Sequence, residues 1–351
     1  MSVDPRYYSG ARETQVVSRT LQKPVAFRMI LPCSNAHMKI VHCHVNWLFW
    51  QMITLVRFPK NLILSLEGPN TVPQAPKVLY HYTTQTGLLG ILKTDSIWAT
   101  KIHYLNDASE YQLALDLASE VLRSLLSGEK STKKRRKVKA LLDNLRMIEH
   151  MNVCVCSLSA RRDLLSQWRA YAGGTTGYSI GLNTACIEAQ ASRQGFALVQ
   201  CEYNERTQKE LVEQMVVESL DKDFNTTPSR IDPKRPRTII ALPVGGDFSV
   251  RFAQLAPMIK SPAFHEEDEW RLVSARGVDV RKMSFRAGTS MLTPYFDFSL
   301  GTNKASYLSS VTVGPTPHAR LSERSTQSLL AHLGVAQPVQ VHSSKAPYRA
   351  W

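Results

Sequence analysis

Glu266, Glu267, Asp268 and Glu269 run together immediately before the apolar stretch that starts at Trp270. On an extended chain alternate residues share a face, so Glu267 and Glu269 are expected to point the same way. Crowded carboxylates repel, and enclosure is expected to raise the pKa of at least one of them. Such a pair suits general base work, stabilisation of a developing cation, or metal binding. The spacing supplies no further metal ligands, so no metal is expected. An exposed acidic turn is the plain alternative, and the neighbouring Trp270 and Leu272 favour burial instead.

Three other groups carry candidate chemistry. His81 and Thr83 share one face of a short strand and can hold a ribose or phosphate oxygen by hydrogen bonds. On the residues alone, a histidine that merely ties down the strand end is the favoured reading. Trp98–Asp107 joins an aromatic pair, His103, Asn106 and Asp107 just ahead of a helical pattern. Tyr104 there can stack on a flat ring, whereas Asp107 reads better as a cap or turn residue. Gln167-Trp168-Arg169-Ala170-Tyr171 places costly side chains together. Arg169 can grip a phosphate or carboxylate with two prongs, or pair internally with Glu267.

Alternating and helical patterns position these residues. Val78–Tyr82 reads as a strand, and Thr84–Thr94 as a helix with Leu88, Leu89, Ile91 and Leu92 on one face. Strands are further predicted at Ile97–Thr100, Asn152–Leu158, Tyr178–Leu182, Ala197–Tyr203, Glu269–Ser274 and Ser309–Gly314. Helices are predicted from Asp107 or Ser109 through Leu125, over Ala140–Met147, Asp163–Tyr171, Gln208–Leu220 and Phe248–Met258, and over Glu323–His332 with Ser322 as cap. The basic run Lys133–Lys139 reads as a solvated helix face more than a nucleic-acid patch. The irregular interleaving implies an α+β fold: a mixed, mostly antiparallel central sheet with flanking helices. Residues 1–76 lack a sustained period and end in a Pro-rich linker, so they read as an N-terminal extension or misassigned upstream sequence. Residues 77–351 form the domain.

The 351 residues are 43% hydrophobic and 21% charged, an ordinary globular balance. The net charge of +14 fits either a solvated basic surface or attraction to polyanions. None of the six cysteines forms a Cys-x-x-Cys pair. Cys154 and Cys156 alternate and read as small core residues. The most apolar run, Ile40–Val56, carries His42, His44, Asn46 and Gln51 and is too short to span a bilayer. A cytoplasmic location without a membrane partner is expected.

Five phrases in order give a specific resemblance: Leu79–Thr83, Trp98–Thr100, Tyr104–Asp107, Leu165–Tyr171 and Glu267–Arg271. With Pro294-Tyr295, Val313–Pro315 and Pro347–Arg349, the chain from Tyr80 to Arg349 resembles the bacterial domain-of-unknown-function family 2971. More distantly, His81-x-Thr83 and the late Glu-x-Glu are similar to the ADP-ribosyltransferase superfamily, which splits NAD. That resemblance implies an ADP-ribosyltransferase-like core with NAD as co-substrate and a protein or nucleic-acid acceptor. His81 and Thr83 would hold the adenosine-side ribose, and Tyr104 would pack on nicotinamide, a role for which Tyr171 competes. Glu269 would stabilise the developing cation, and Glu267 would orient the acceptor. It requires His81 and Glu269 on one cleft. The alternative is a non-catalytic module that holds a nucleotide or nucleic acid through Arg169 and the basic surface.

Overall fold

The computed structural model describes residues 74–105, 108–148, 151–172, 176–221, 247–288, 290–335 and 339–347. The N-terminal extension expected at residues 1–76 lies almost wholly outside them, as do the Asn106 and Asp107 turn and the whole Pro-rich loop at 225–237.

The chain forms an α+β domain. Its strands are β1 (Val78–Thr83), β2 (Ser96–Lys101), β3 (Cys154–Ser159), β4 (Tyr178–Asn183), β5 (Phe196–Gln200), β6 (Glu269–Ser274), β7 (Ser284–Ala287), β8 (Leu292–Ser299), β9 (Leu308–Val313) and β10 (Gln340–Ser343). Its helices are α1 (Gln85–Thr94), α2 (Ala108–Gly128), α3 (Thr132–Ile148), α4 (Leu165–Tyr171), α5 (Thr184–Gln194), α6 (Glu205–Asp221), α7 (Asp247–Leu255), α8 (Lys304–Tyr307) and α9 (Ala319–His332).

All ten strands join one sheet, in the order β10-β9-β4-β1-β3-β2-β8-β7, with β6 and β5 continuing from β3. Every registered strand pair is antiparallel except β9–β10. The sheet branches at β3. One edge of β3 carries β6 along its length. The other edge meets β1 only at Tyr80↔Ser159 and β2 only at Thr100↔Val155 and Lys101↔Cys154. β1 and β2 therefore fork apart over the middle of β3.

Strand alternation sends apolar side chains to both faces. On one face Cys154, Cys156 and Leu158 pack with Leu79, Ile97, Ile180 and Leu272 beneath Leu88, Ile91 and Leu92 of α1, together with α5 and α9 residues such as Ile187 and Leu330. On the other face Val155, Val199 and Val273 pack against α2, α3, α6 and α7 through Leu122, Leu141, Val212 and Phe252. Burying apolar surface on both faces supplies the main drive for folding.

Local chemistry fixes the ends of these elements. Thr84 accepts a hydrogen bond from the Gly87 amide (3.1 Å) and starts α1. Asn183 does the same for α5 through the Cys186 amide (3.1 Å), and Gly195 ends that helix at φ 73°. Three sequence expectations shift. The basic run is the first half of α3, not a prelude to it. Within it the Arg135 guanidinium donates to the carbonyls of Leu126 (2.7 Å) and Glu129 (3.0 Å), beyond the C-terminal half of α2. Lys137 likewise reaches the Leu220 carbonyl of α6 (3.1 Å). Two of these six basic residues thus reach carbonyls at helix ends, where cations are favoured. Ser322 lies inside α9, which begins at Ala319, and Ser109 lies inside α2. The elements α5, α8, β7, β8 and β10 have no counterpart in the sequence expectations.

Candidate functional site

Glu269 opens β6, facing Ser159 on β3. It is only 4% exposed, yet it stays ionised because two cations enclose it. Arg271 shares its face two residues along the strand and binds it with two prongs, Nε to Oε1 (2.8 Å) and Nη2 to Oε2 (3.0 Å). Lys260 Nζ donates to the same Oε2 and to Glu267 Oε2 (2.5 Å). Arg271 Nη1 also donates to the Pro257 carbonyl (2.8 Å), and the Glu269 amide donates to the Tyr203 hydroxyl (2.9 Å). Burial by itself would raise the Glu269 pKa, but Arg271 and then Lys260 outweigh it and hold the carboxyl at about 2. The expectation of a raised pKa is therefore corrected for Glu269. Carboxylate repulsion does not dominate, because the pair is interleaved with two positive charges.

The backbone route to this cluster also differs from a plain extended segment. Pro262–Glu267 is a 3₁₀ turn, and Asp268 adopts the left-handed region at φ 44°. Ser159 Oγ donates to the Glu267 carbonyl (2.6 Å), and the Ala160 amide to the Asp268 carbonyl (2.9 Å), which pins the turn to the end of β3. Lys260 is anchored through its own backbone: its amide donates to the Glu202 carbonyl (3.1 Å), and its carbonyl accepts from Gln208 Nε2 (2.7 Å).

Tyr171, at the end of α4, joins the cluster. Its hydroxyl is pushed up to about 12 by burial and then by the Glu269 and Glu267 charges, so it remains a proton donor at neutral pH. Helix α4 is held in place by Trp168, whose Nε1 donates to Asp163 (2.7 Å) and whose ring meets Tyr82 edge-on at 4.7 Å. On β1, Tyr80 faces Ser159, so Tyr80, Ser159 and Glu269 form one cross-strand row on one face of the sheet. Ser157 lies on that face beside the row, opposite Arg271. Although β3 is central, Ser157 is partly exposed, at the level where β1 and β2 fork.

His81 and Thr83 are on the other face. Tyr80 shares a face with Ser159 and Glu269, and successive strand residues alternate. His81 and Thr83 instead share the face of Ile180 and Tyr178, in the core under α1. The His81 Nδ1–H donates to the Ser157 carbonyl (3.1 Å), filling the backbone gap left by the fork. Burial lowers the pKa of His81, and the Ser157 carbonyl offsets this in part. Thr83 packs against the start of α1, where a Cβ on Gly87 would overlap its Oγ1. The single cleft walled by His81 and Glu269 is thus not formed: strand register places the two on opposite sides of the sheet.

Tyr104 ends the 3₁₀ turn Ile102–Tyr104 and is 36% exposed. The Ile102 amide donates to the Val153 carbonyl (2.8 Å), at the opposite end of β3 from Ser159. Those two ends are about 20 Å apart at ~3.3 Å per residue. Arg169 is on the exposed side of α4, and Lys260 meets Glu267. Arg161 stands at the rim of the cluster, its Nε 3.4 Å from Asp268.

The structure therefore gathers Glu267, Glu269 and Tyr171 and leaves His81, Thr83 and Tyr104 elsewhere. It adds Lys260, Arg271, Tyr203, Tyr80 and Ser157. Arg271 was legible from its two-residue offset from Glu269, whereas Lys260 has no local signature. Among the described residues no group of three or more His, Cys, Asp or Glu side chains is arranged to hold a metal ion. No described helix is long and apolar enough to cross a membrane.

The model of the family described as Protein of unknown function (DUF2971) matches residues 167–272. The matched segment runs from Gln167 in α4 to Leu272 in β6 and so contains Tyr171, Lys260, Glu267, Glu269 and Arg271. No curated protein and no solved structure matches the chain.

Proposed function

We propose, from the geometry at the strand ends, that this domain binds a nucleotide-class ligand over the β1–β2 fork without cleaving it. The observation that carries this is the partly exposed Ser157 on a central strand, flanked on the same face by the row Tyr80, Ser159 and Glu269. Concave openings with a few convergent polar groups are the usual places for small ligands. Tyr171 offers a hydroxyl donor, and Glu267, with 15% of its side chain exposed, offers an acceptor for sugar hydroxyls. The exposed Arg161 and Arg169 and the net charge of +14 favour the phosphate of a nucleotide or nucleic acid.

Binding without cleavage follows from the charge balance. Splitting NAD needs negative charge that is free to stabilise an oxocarbenium-like centre. Here Lys260 meets both carboxylates, Glu267 and Glu269, and Arg271 meets Glu269, so their charge is already engaged. Both Glu269 oxygens are already engaged.

Titration of the purified protein with NAD, AMP and a single-stranded oligonucleotide, with nicotinamide release followed in parallel, tests this. Expected are binding that weakens in Tyr171→Phe and Glu267→Gln, oligonucleotide affinity that falls with salt, and no release of nicotinamide. Absence of binding by all three ligands at low salt would remove the proposal. A second reading, NAD-dependent transfer to a protein or nucleic acid, draws on the convergence of Tyr171 with both carboxylates. Nicotinamide release that disappears in Glu267→Gln would favour it.

A further inference from the structure

Trp98 sits on β2 between Ile97 and Ala99, both fully buried, yet is itself 48% exposed. It is on the same sheet face as the Glu269 cluster. Thr100 pairs with Val155 and shares the face of the α2 and α7 core, and Trp98 follows Thr100 by alternation. Extending both antiparallel registers puts Trp98 level with Ser157 and, across the fork on β1, with Tyr82; Tyr80 lies one pair further along, level with Ser159. One side of the fork therefore carries an open indole, and the other carries Tyr80 and Tyr82, with Tyr82 packed against Trp168 of α4.

The indole is held rigidly. The Tyr295 ring packs against it with centroids 4.7 Å apart, and the Arg286 guanidinium lies 5.2 Å from its centroid. A ring fixed in advance loses little entropy when a ligand stacks on it. Arg286 has donors to spare: its only hydrogen bond among the described residues is a long one from Nη2 to Thr100 Oγ1 (3.4 Å), and its Nε is buried without a partner. Asp297, the cross-strand neighbour of Trp98, puts a carboxylate at this end, which is unfavourable for phosphate. A flat heterocycle with acceptor nitrogens suits such a wall; a sugar phosphate does not.

We propose that Trp98, backed by Arg286, is the base-stacking wall of the cleft and makes it selective for ligands that carry a nucleobase. This rests on the nucleotide-binding reading above and adds the orientation, with the base toward β2 and the sugar toward Glu267. The test compares AMP with ribose 5-phosphate on the full chain and on Trp98→Ala and Trp98→Phe. Loss of one stacking contact weakens binding about tenfold or more. Trp98→Ala is expected to weaken AMP by that factor and leave ribose 5-phosphate unchanged, with Trp98→Phe recovering most of the loss. An unchanged melting temperature for Trp98→Ala, whose side chain is half-exposed, excludes a folding effect. AMP binding untouched by Trp98→Ala, or both ligands weakened equally, would overturn the stacking wall while leaving the cleft in place. If the wild-type chain binds neither ligand, the cleft itself is refuted, and the wall with it.

Discussion

Replacing Glu269 by Gln keeps the size of the side chain and removes its charge. In the folded protein the carboxyl titrates at about 2 rather than at the ordinary 4.5. At about 1.36 kcal/mol per pH unit, the ionised form contributes roughly 3 kcal/mol to folding. Removing one partner from a buried ion pair gives a similar figure by an independent route, about 3–5 kcal/mol, because the remaining charges are left under-compensated. In Glu269→Gln those charges are Arg271 and Lys260, both buried, with Glu267 as the remaining carboxylate. The sign in pH follows from the lowered folded-state pKa. The contribution is complete above about 4.5 and is lost as pH falls toward 2. Urea unfolding at pH 7 and at steps down to pH 3 measures both effects. Glu269→Gln should lower stability by roughly 3 kcal/mol at pH 7 and flatten the decline below pH 4.5. Glu267→Gln removes a more exposed carboxylate and should cost about 1 kcal/mol. A Glu269→Gln protein within 1 kcal/mol of wild type at pH 7, with the same acid slope, would refute the account of the cluster as a stabilising charge knot.

Three further outcomes are expected. His81→Phe keeps a ring but leaves the Ser157 carbonyl without its donor, costing about 1 kcal/mol at pH 7. Because the folded-state pKa of His81 is lowered by burial, its neutral form stabilises the fold above about pH 6.5, and that contribution is lost as pH falls below it. Denaturation midpoints between pH 7.5 and 5 should therefore fall less steeply in His81→Phe. Gly314→Ala puts a Cβ 2.9 Å from the Gly177 carbonyl and 3.0 Å from the Trp168 ring, so thermal unfolding should show a loss of about 1–3 kcal/mol. Arg135→Ala strips a cation from the carbonyls of Leu126 and Glu129 and should cost up to about 1 kcal/mol, whereas exposed Lys133→Ala should be neutral within about 0.5 kcal/mol in the same measurement.

Local pattern determined much of this protein. The α+β class, the helix over Gln85–Thr94, the paired cysteines of β3 and the burial of the Glu269 segment all follow from periodicity, capping and neighbouring apolar residues. Glu267, Glu269 and Tyr171 stand out in the sequence as candidates because their types are costly to place without a purpose. What the sequence left open was which strand lies beside which. Alternation fixes the two sides of β1 and of β6 separately, but only register through β3 relates them. That register, Tyr80↔Ser159↔Glu269, puts His81 in the core beneath α1 and Tyr80 on the face of the carboxylates. Lys260 and Trp98 have no local mark either. Their importance comes from contacts across the sheet and from the fork at β3, both set by tertiary packing.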